Sequence, residues 1–586
     1  MKRKNIMKGL AAVAMTFAVT SCSSDYLDLQ PISNESSESI PDNIYKMRTA
    51  SYGTMQSMYR QYSLFYDLMF FNGEPWYQTY FGEGMGQDMT DYFMQRYVGS
   101  TFVNWQHMTS GGTWGAQIAW IYPYGIISQA NYIIAGEKNL EEKGELEDEM
   151  AFRMAQAYTM RAHGYIRLHQ MFGPRWEDSN NGQVHSVVIR TEAPDATKPV
   201  DKAVSSTNEV LDLIYSDLDR AIELYELSEF SRDYVWETDL SVAYGLYARA
   251  ALLKNDWQNA EKYAHLASEG YEVMAPGEYI TGFNTANGEW MWGSSDSPVG
   301  VYFCSYGASF GCNGAYSCLY KSGAGAIDYT LYKQVNNAND VRCQLYYTPD
   351  KEPRSIRAAF WNTDDISAST MDLNRGDRMP ALLNAYCEKM YDLIGKNAGW
   401  IFPYTDSYFD NTLEIGSAYV PFGAQFKFWG KDNYSSSAVP FMRASEMLFI
   451  EAEAAYHNGN TSVAQDCLAK VNMNRITNYQ KTTKTGEDLL AEIKLYRRFE
   501  LWGEGFSWFD FKRWNEPIVR VGWKMNDSSS GNWPSATAKT FEVTDMNNWV
   551  WPISDTEIDY NDLVPASINN ISPASEKAKN MYYKFK

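Results

Sequence analysis

The stretch LYRRFELWGEGFSWFDFKRW, residues 495–514, decides how the rest of the chain must fold. Its large aromatic residues are Phe499, Trp502, Phe506, Trp508, Phe509, Phe511 and Trp514, and its charged residues are Arg497, Arg498, Glu500, Glu504, Asp510, Lys512 and Arg513. So many rings leave water together, and they draw the neighbouring charges inward with them. Because an unpaired buried charge is costly, these charges are expected to be paired inside the protein.

The spacing within this stretch favours a structural role over a catalytic one. Arg497 with Glu500, and Asp510 with Arg513, are three residues apart, as ion pairs on one helix are. Two glycines, Gly503 and Gly505, break the helix between them. We interpret the stretch as a structural clasp of buried rings and paired charges, whose members are Arg497, Arg498, Glu500, Glu504, Trp508, Asp510, Arg513 and Trp514.

The clasp also resembles a known family motif. It is similar to the R-R-x-E-L-x-x-E-G-x-x-W-F-D-x-x-R-W segment of the SusD/RagB family, outer-membrane glycan-binding lipoproteins that sit on TonB-dependent transporters. The matching residues are Arg497, Arg498, Glu500, Leu501, Glu504, Gly505, Trp508, Phe509, Asp510, Arg513 and Trp514.

Weaker matches extend the resemblance over most of the chain. They are Arg161, Ala162, Tyr165, Leu168, Phe172 and Gly173, then Arg443, Glu446, Ala452 and Glu453, and finally Pro552, Ile553, Glu557 and Ile558. Two departures stand out: Pro174 follows Gly173 without the usual spacer, and the family's Gln-Asn-Pro-Gly ending is absent. The resemblance is weakest in the loops, where ligand choice would lie.

The first residues predict export and a lipid anchor. Residues 1–21 combine basic residues with a short apolar run, as a signal peptide does. Val19-Thr20-Ser21-Cys22 resembles a bacterial lipobox, which implies cleavage before Cys22 and lipidation of its thiol. An acidic, serine-rich tether, residues 22–42, follows. These residues predict a lipoprotein that meets the membrane through its lipid anchor only, and the family resemblance implies that it lies at the cell surface of the outer membrane.

The net charge argues against two classes of partner, and the cysteine spacing argues against a zinc site. The formal net charge of −21 repels nucleic acid and anionic lipid head groups, so neutral ligands are favoured. Six cysteines follow Cys22, namely Cys304, Cys312, Cys318, Cys343, Cys387 and Cys467, without zinc-site spacing. Their disulfide state is left open, although Cys312 and Cys318 are the nearest pair.

Apolar periodicity predicts a mainly all-α fold with a tetratricopeptide-like helical scaffold and long irregular, loop-rich insertions. Two helix pairs carry small residues on facing sides, the first turning at Asn255-Asp256 and the second at Asn458-Gly459-Asn460. We divide the mature chain into an N-terminal SusD-like helical half, 43–274, and a C-terminal SusD/RagB half, 275–586. The periodicity fails over about 275–434, which we predict to face the ligand.

No catalytic, metal or cofactor motif emerges from the sequence. There is no HExxH, P-loop, GxSxG or dinucleotide-binding fingerprint. Asp178 begins like a calcium loop, but Ile189 stands where the closing glutamate should be. A glycosidase needs two carboxylates, but acidic pairs are so abundant in this chain that their presence does not identify one. We therefore predict a protein that is not an enzyme and uses no cofactor.

Aromatic residues in irregular segments are the sharper signal for a binding site. Sugar rings stack their C–H faces on Trp and Tyr, while their hydroxyls pair with amides and carboxylates. The candidates are Asn72, Trp76, Tyr77 and Tyr80 in the first loop, and Asn287, Trp290, Trp292, Asp296, Tyr302, Asn313 and Tyr320 in the long irregular region. Packing within the loops is the alternative role for each.

The aromatic segments and the resemblance to the SusD/RagB family together imply capture of an oligosaccharide or polysaccharide and, from the family, its delivery to a partner SusC-like TonB-dependent transporter. Two alternatives stay open: a helical adaptor that binds only protein or peptide, and a glycoside hydrolase. The identity of the glycan is not readable from the sequence.

Overall fold

The computed structural model describes residues 40, 43–59, 73–90, 98–195, 200–294, 325–347, 423–429, 437–522, 529, 531–533 and 537–569. The predicted signal peptide, Cys22 and the tether lie outside these residues, apart from Ile40. The same holds for Cys304, Cys312, Cys318 and Cys387, whereas Cys343 and Cys467 are buried free thiols.

The described residues are mainly helical, as the periodicity predicted. Helices of eight or more residues are α1 (Ile44–Gln56), α2 (Trp114–Ile134), α3 (Asp148–Phe172), α4 (Thr207–Leu227), α5 (Leu240–Lys254), α6 (Trp257–Ser268), α7 (Ala444–His457), α8 (Thr461–Asn472), α9 (Gly486–Glu500) and α10 (Ser507–Trp514). Shorter helices are Glu74–Trp76, Val98–Val103, Glu137–Lys143, Pro276–Tyr279, Tyr329–Val335, Asp545–Trp549 and Asp555–Tyr560, with a π-helical turn at Tyr77–Gly84.

The strands are short. They are β1 (Met89–Thr90), β2 (His185–Val188), β3 (Val204–Ser206), β4 (Trp290–Gly293), β5 (Ala326–Ile327), β6 (Tyr346–Tyr347), β7 (Ala424–Gln425), β8 (Pro440–Arg443), β9 (Ile518–Val519) and β10 (Thr540–Phe541). One antiparallel sheet has the order β1-β5-β7-β6, and β2-β3, β4-β8 and β9-β10 form two-stranded antiparallel pairs.

Local sequence signals explain where the helices begin and end. The Ser206 hydroxyl accepts a hydrogen bond from the Glu209 amide at 3.2 Å, and the Glu209 carboxylate accepts one from the Ser206 amide at 2.7 Å. This reciprocal capping box starts α4. At the other end of a helix, Asn255 adopts a left-handed conformation that terminates α5 before α6 begins.

The helices from α2 to α8 form a continuous array in which each packs against the next in the chain. The array continues from α6 to α7 although residues 269–443 separate them in sequence. At this junction the Asn458 side chain donates to the Trp257 carbonyl at 3.0 Å, and the Trp257 ring stacks on His457 at 3.9 Å. The two predicted helix pairs are therefore neighbours in space, as tetratricopeptide-like repeats are.

Residues between 289 and 504 supply a balanced set of eight buried charges, and we call it the central ion network. Its cations are Arg342, Lys427, Arg443 and Arg475, and its anions are Glu289, Asp340, Glu500 and Glu504, all at most 3% exposed. Each member has a partner of opposite charge within 3.5 Å. Because no cation lacks an anion, the network tolerates full burial.

Glu500 is the anion on which three arginines converge. Arg443 and Arg475 donate to its carboxylate at 2.9 Å each, and Arg342 donates at 3.2 Å. Burial alone would raise the pKa of Glu500, but these three guanidinium groups outweigh it and hold that pKa well below its ordinary value. Burial lowers the pKa of Lys427 to about 8, against the opposing attraction of Glu504.

The clasp is buried as predicted, but one of its ion pairs is wrong. Arg497 pairs with Asp510 at 2.7 Å rather than with Glu500, because Glu500 is already engaged by the central ion network. The Asp510 and Arg513 pair is confirmed at 2.8 Å. Trp508 is fully buried, whereas Trp514 is only partly buried and donates its indole N–H to Glu453 at 2.9 Å.

No helix in the described ranges has both the length and the apolar character needed to cross a membrane.

Removing one charge from the network tests its importance. Glu500→Gln keeps the shape of the side chain but leaves the buried arginines without one negative charge. The free energy of unfolding should fall by about 3–5 kcal/mol. Urea denaturation measures this change, with the exposed Glu487→Gln in the same helix as the matched control, expected within about 0.5 kcal/mol of the wild type. Equal small effects for both variants would contradict a structural role for the network.

Candidate functional site

The first predicted loop is folded and largely buried. After Gly73 the chain forms a short helix and then the π-helical turn Tyr77–Gly84. Trp76 and Tyr77 are core residues, and the Tyr77 hydroxyl donates to the Ala119 carbonyl at 2.6 Å. The expectation that this loop cannot bury its aromatics is therefore wrong for these two residues.

The clasp is the reason that the loop is buried. A Cβ atom on Gly82 would lie only 2.2 Å from the Gly505 carbonyl oxygen, so the two backbones touch where neither residue has a side chain. The Glu83 carboxylate accepts hydrogen bonds from the Gly505 amide at 2.8 Å and the Phe506 amide at 3.3 Å. Gly505 of the clasp therefore allows close contact with the loop backbone, in addition to interrupting the helix.

Charged side chains fix the end of the same loop. The Arg498 guanidinium donates to Asp88 at 2.5 Å, and the Trp502 indole donates to the Asp88 carbonyl at 2.8 Å. Arg520 donates to the Gly86 carbonyl at 3.0 Å and to the Met85 carbonyl at 2.7 Å. Backbone carbonyls that a loop would leave to solvent are therefore satisfied inside the protein.

Five rings of this region pack against one another, and we call them the loop aromatic cluster: Trp76, Tyr80, Phe102, His107 and Trp114. Tyr80 packs on Trp76 with ring centroids 4.3 Å apart, and Trp114 meets Phe102 edge-to-face at 5.3 Å. Tyr80 and Trp114 are partly exposed, while the other three are buried behind them. The arrangement therefore leaves two preformed rings, those of Tyr80 and Trp114, partly exposed at the surface.

The second predicted region also enters the core. Trp290 and Trp292 lie in β4, which pairs with β8, and both are buried. The Trp292 indole donates to the Trp236 carbonyl at 3.1 Å. Asn287 is partly buried and its side chain accepts from the Glu289 amide at 3.0 Å, which orients Glu289 toward the central ion network. The prediction that Trp290 and Trp292 present rings to a ligand is wrong in this structure.

The remaining candidates lie outside the described residues: Asn72, Asp296, Tyr302, Asn313 and Tyr320. Trp114 is not among the candidates predicted from the sequence, because it is the first residue of the apolar helix α2 and a residue at that position is expected in the core. Its position just after Gly111 and Gly112 was the available signal for a ring at a helix end.

Two small cavities lie beside the clasp, and neither is large enough for a sugar ring. Two adjoining cavities between α3, α5 and α10 have volumes of about 20 and 30 Å³. Such volumes hold about one ordered water each. The described residues also contain no group of three or more His, Cys, Asp or Glu side chains that could hold a metal ion.

Burial shifts the protonation of several groups beside the loop. Burial raises the pKa of Glu83 to about 8, with repulsion from Asp88 adding to the effect. Burial likewise raises the pKa of Asp328 to about 7. It lowers the pKa of His107 to about 4, so the ring beside Trp114 is neutral at pH 7.

Comparisons with known proteins agree on one family. A family model described as "SusD family" matches residues 420–567, and one described as "Starch-binding associating with outer membrane" matches residues 25–252. No curated protein matches the chain.

Solved structures show the same fold. A SusD-like carbohydrate-binding protein from Bacteroides vulgatus is 20% identical, with a TM-score of 0.65, covering 89% of this chain and 97% of its own. A SusD superfamily protein from Bacteroides thetaiotaomicron is 17% identical, with a TM-score of 0.62, covering 89% and 99%. A laminarin-binding SusD-like protein is 16% identical, with a TM-score of 0.56, covering 89% and 98%.

The buried carboxyl Glu83 predicts a pH effect on stability. A folded pKa near 8, above the ordinary 4.5, means that the folded state holds a proton that the unfolded state has lost. The stabilisation is present below pH 4.5 and is lost as pH rises through 8. Glu83→Gln cannot ionise at this position, so between pH 5 and pH 8.5 its free energy of unfolding should fall less than that of the wild type, by more than about 1 kcal/mol.

Urea denaturation at the two pH values measures this difference. The exposed Glu145→Gln serves as the control and should follow the wild type at both. A Glu83→Gln variant whose stability falls between pH 5 and 8.5 as steeply as that of the wild type would contradict the assignment.

Proposed function

Because the chain belongs to the SusD/RagB family, we propose that it is a cell-surface lipoprotein that captures a glycan and passes it to a TonB-dependent transporter. One of the two matching family models is named for starch binding, and two of the solved relatives are named for carbohydrate or laminarin binding. Delivery to a SusC-like partner is the finer step that the sequence motif implies. Catalysis forms no part of the proposal.

The loop aromatic cluster is the observation that carries the proposal for this chain. Tyr80 and Trp114 offer partly exposed rings on a buried aromatic base. Stacking on sugar C–H faces needs such rings held still, since ordering a loose side chain on binding reduces affinity. The clasp holds this segment from behind, and hydroxyl-binding groups such as Gln117 lie on the same helix as Trp114.

The charge of the protein favours a neutral ligand. A net charge of −21 repels acidic polysaccharides at long range as it repels nucleic acid. Starch and laminarin, the glycans named for a matching family and for a structural relative, are both neutral. They are the natural first probes for this chain.

The lipid anchor at Cys22 belongs to the same proposal. The matching family is described as associating with the outer membrane, and a lipid chain on Cys22 would hold the helical body there through the tether. A body tethered in this way stays close to a transporter in the same membrane, which raises its effective concentration for hand-over.

Calorimetry against neutral glycans, including soluble starch and laminarin, tests the proposal. The wild type should bind at least one glycan without releasing reducing ends. Tyr80→Ala should raise Kd about fivefold, because a stacked ring contributes about 1 kcal/mol. The exposed Tyr560→Ala is the matched control and should leave Kd unchanged.

The outcomes separate the alternatives. Release of reducing ends would favour a glycoside hydrolase. Failure to bind any glycan, with the transporter still captured from membranes, would favour the protein-binding adaptor. Glycan binding that Tyr80→Ala leaves intact would move the site away from the loop aromatic cluster while retaining the function.

A further inference from the structure

An exposed tyrosine in the turn between α4 and α5 has a geometry that packing alone does not explain. Tyr234 is 51% exposed, yet its ring lies parallel to Trp236, at a centroid distance of 5.0 Å and an angle of 9°. Tyr52 of α1 meets both rings edge-on, at 6.4 Å from Tyr234 and 4.8 Å from Trp236. One face of Tyr234 is therefore supported from below while the side chain remains open to solvent.

The turn that carries Tyr234 is held by the core. The Glu237 amide donates to the Tyr234 carbonyl at 3.0 Å, and the Asp233 amide donates to the buried Glu237 carboxylate at 3.1 Å. Arg232 donates to the Met291 carbonyl of β4 at 2.6 Å. The Gly293 amide donates to the Val235 carbonyl at 3.2 Å. These bonds fix the turn to β4, so the ring is positioned before any ligand arrives.

Helix α1 extends the exposed aromatic surface. Tyr45 is 70% exposed and lies seven residues before Tyr52, about 10 Å along the helix. Arg48 lies between them, with its guanidinium 5.6 Å from the Tyr45 ring centroid. Tyr45 and Tyr52 are two helical turns apart on the same face of α1, and Tyr52 contacts Tyr234, so the three rings follow one another in a row, with the Arg48 guanidinium beside Tyr45.

The charges near this row are already paired. Arg48 binds the Glu149 carboxylate through two nitrogens, and Arg153, whose guanidinium lies 4.9 Å from the Tyr52 ring centroid, binds Glu149 and Glu237. Because both cations have anionic partners, the row offers rings and hydrogen-bonding groups without an unmatched positive charge. That chemistry suits a neutral sugar chain better than an acidic one.

We propose that Tyr45, Tyr52 and Tyr234 form a second contact row for a neutral oligosaccharide, built from residues other than those of the loop aromatic cluster. The proposal rests on the proposed glycan-binding function and adds a place on the protein to it. A long polysaccharide that contacts both the loop aromatic cluster and this row gains affinity through effective concentration. A short oligosaccharide bound at one row does not.

Calorimetry with soluble starch and laminarin tests the row directly. Tyr234→Ala should raise Kd fivefold or more for the polysaccharide that binds. Its melting temperature should fall by no more than about 3 °C, because only about half of the side chain is buried. Tyr234→Phe keeps the ring and should stay within twofold of the wild type. Tyr560→Ala removes a tyrosine that is still more exposed, at 80%, from another part of the chain and should have no effect.

Each outcome decides the matter. If the wild type binds and Tyr234→Ala binds equally well, the second row is wrong while the proposed function stands. If Tyr234→Phe loses affinity as Tyr234→Ala does, the hydroxyl rather than the ring face is responsible, which overturns stacking. If the wild type binds neither these nor other neutral glycans, the proposed function fails and the row fails with it.

Discussion

The burial of four cations with four anions in the central ion network is the constraint on which the rest of the structure depends. A single unmatched charge at that depth would cost several kcal/mol, so the elements that supply the charges must arrive together. Those elements are far apart in the sequence: β4, the segments around Arg342 and Lys427, β8, the end of α8 and the clasp. Pairing their charges therefore joins residues 325–347 and 423–429 to β4, β8 and the clasp.

The same constraint explains the fate of the loop aromatics. Arg443 in β8 is bound by Glu289, which directly precedes β4, so the tryptophans of β4 are carried into the core beside it. On the other side of the clasp, Gly505 and Arg498 receive the first loop through Glu83 and Asp88. Aromatic rings of a loop are buried at little cost when buried side chains already form hydrogen bonds with the polar groups of the loop backbone.

In the residues that the structure describes, several partly exposed rings rest on buried aromatic neighbours. The helical array is built from neighbouring pairs, and such arrays present extended surfaces while each repeat contacts only its neighbours. Partly exposed aromatics then stand out because their supports are buried: Tyr80 and Trp114 on Trp76, and Tyr234 on Trp236. Preorganised rings of this kind suit sugar recognition, where each contact is weak and ordering costs are significant.

The sequence by itself determined the helical class, the helix pairs at Asn255 and Asn458, and the clasp, because apolar periodicity, caps and a long motif are local signals. It also determined the family. Only the tertiary structure decided that Arg497 pairs with Asp510 and that Trp76 and Trp290 are buried. Those outcomes depend on which residues from other parts of the chain become neighbours in the folded protein. Local sequence signals do not specify these neighbours. The boundary at residues 274 and 275 stays a prediction.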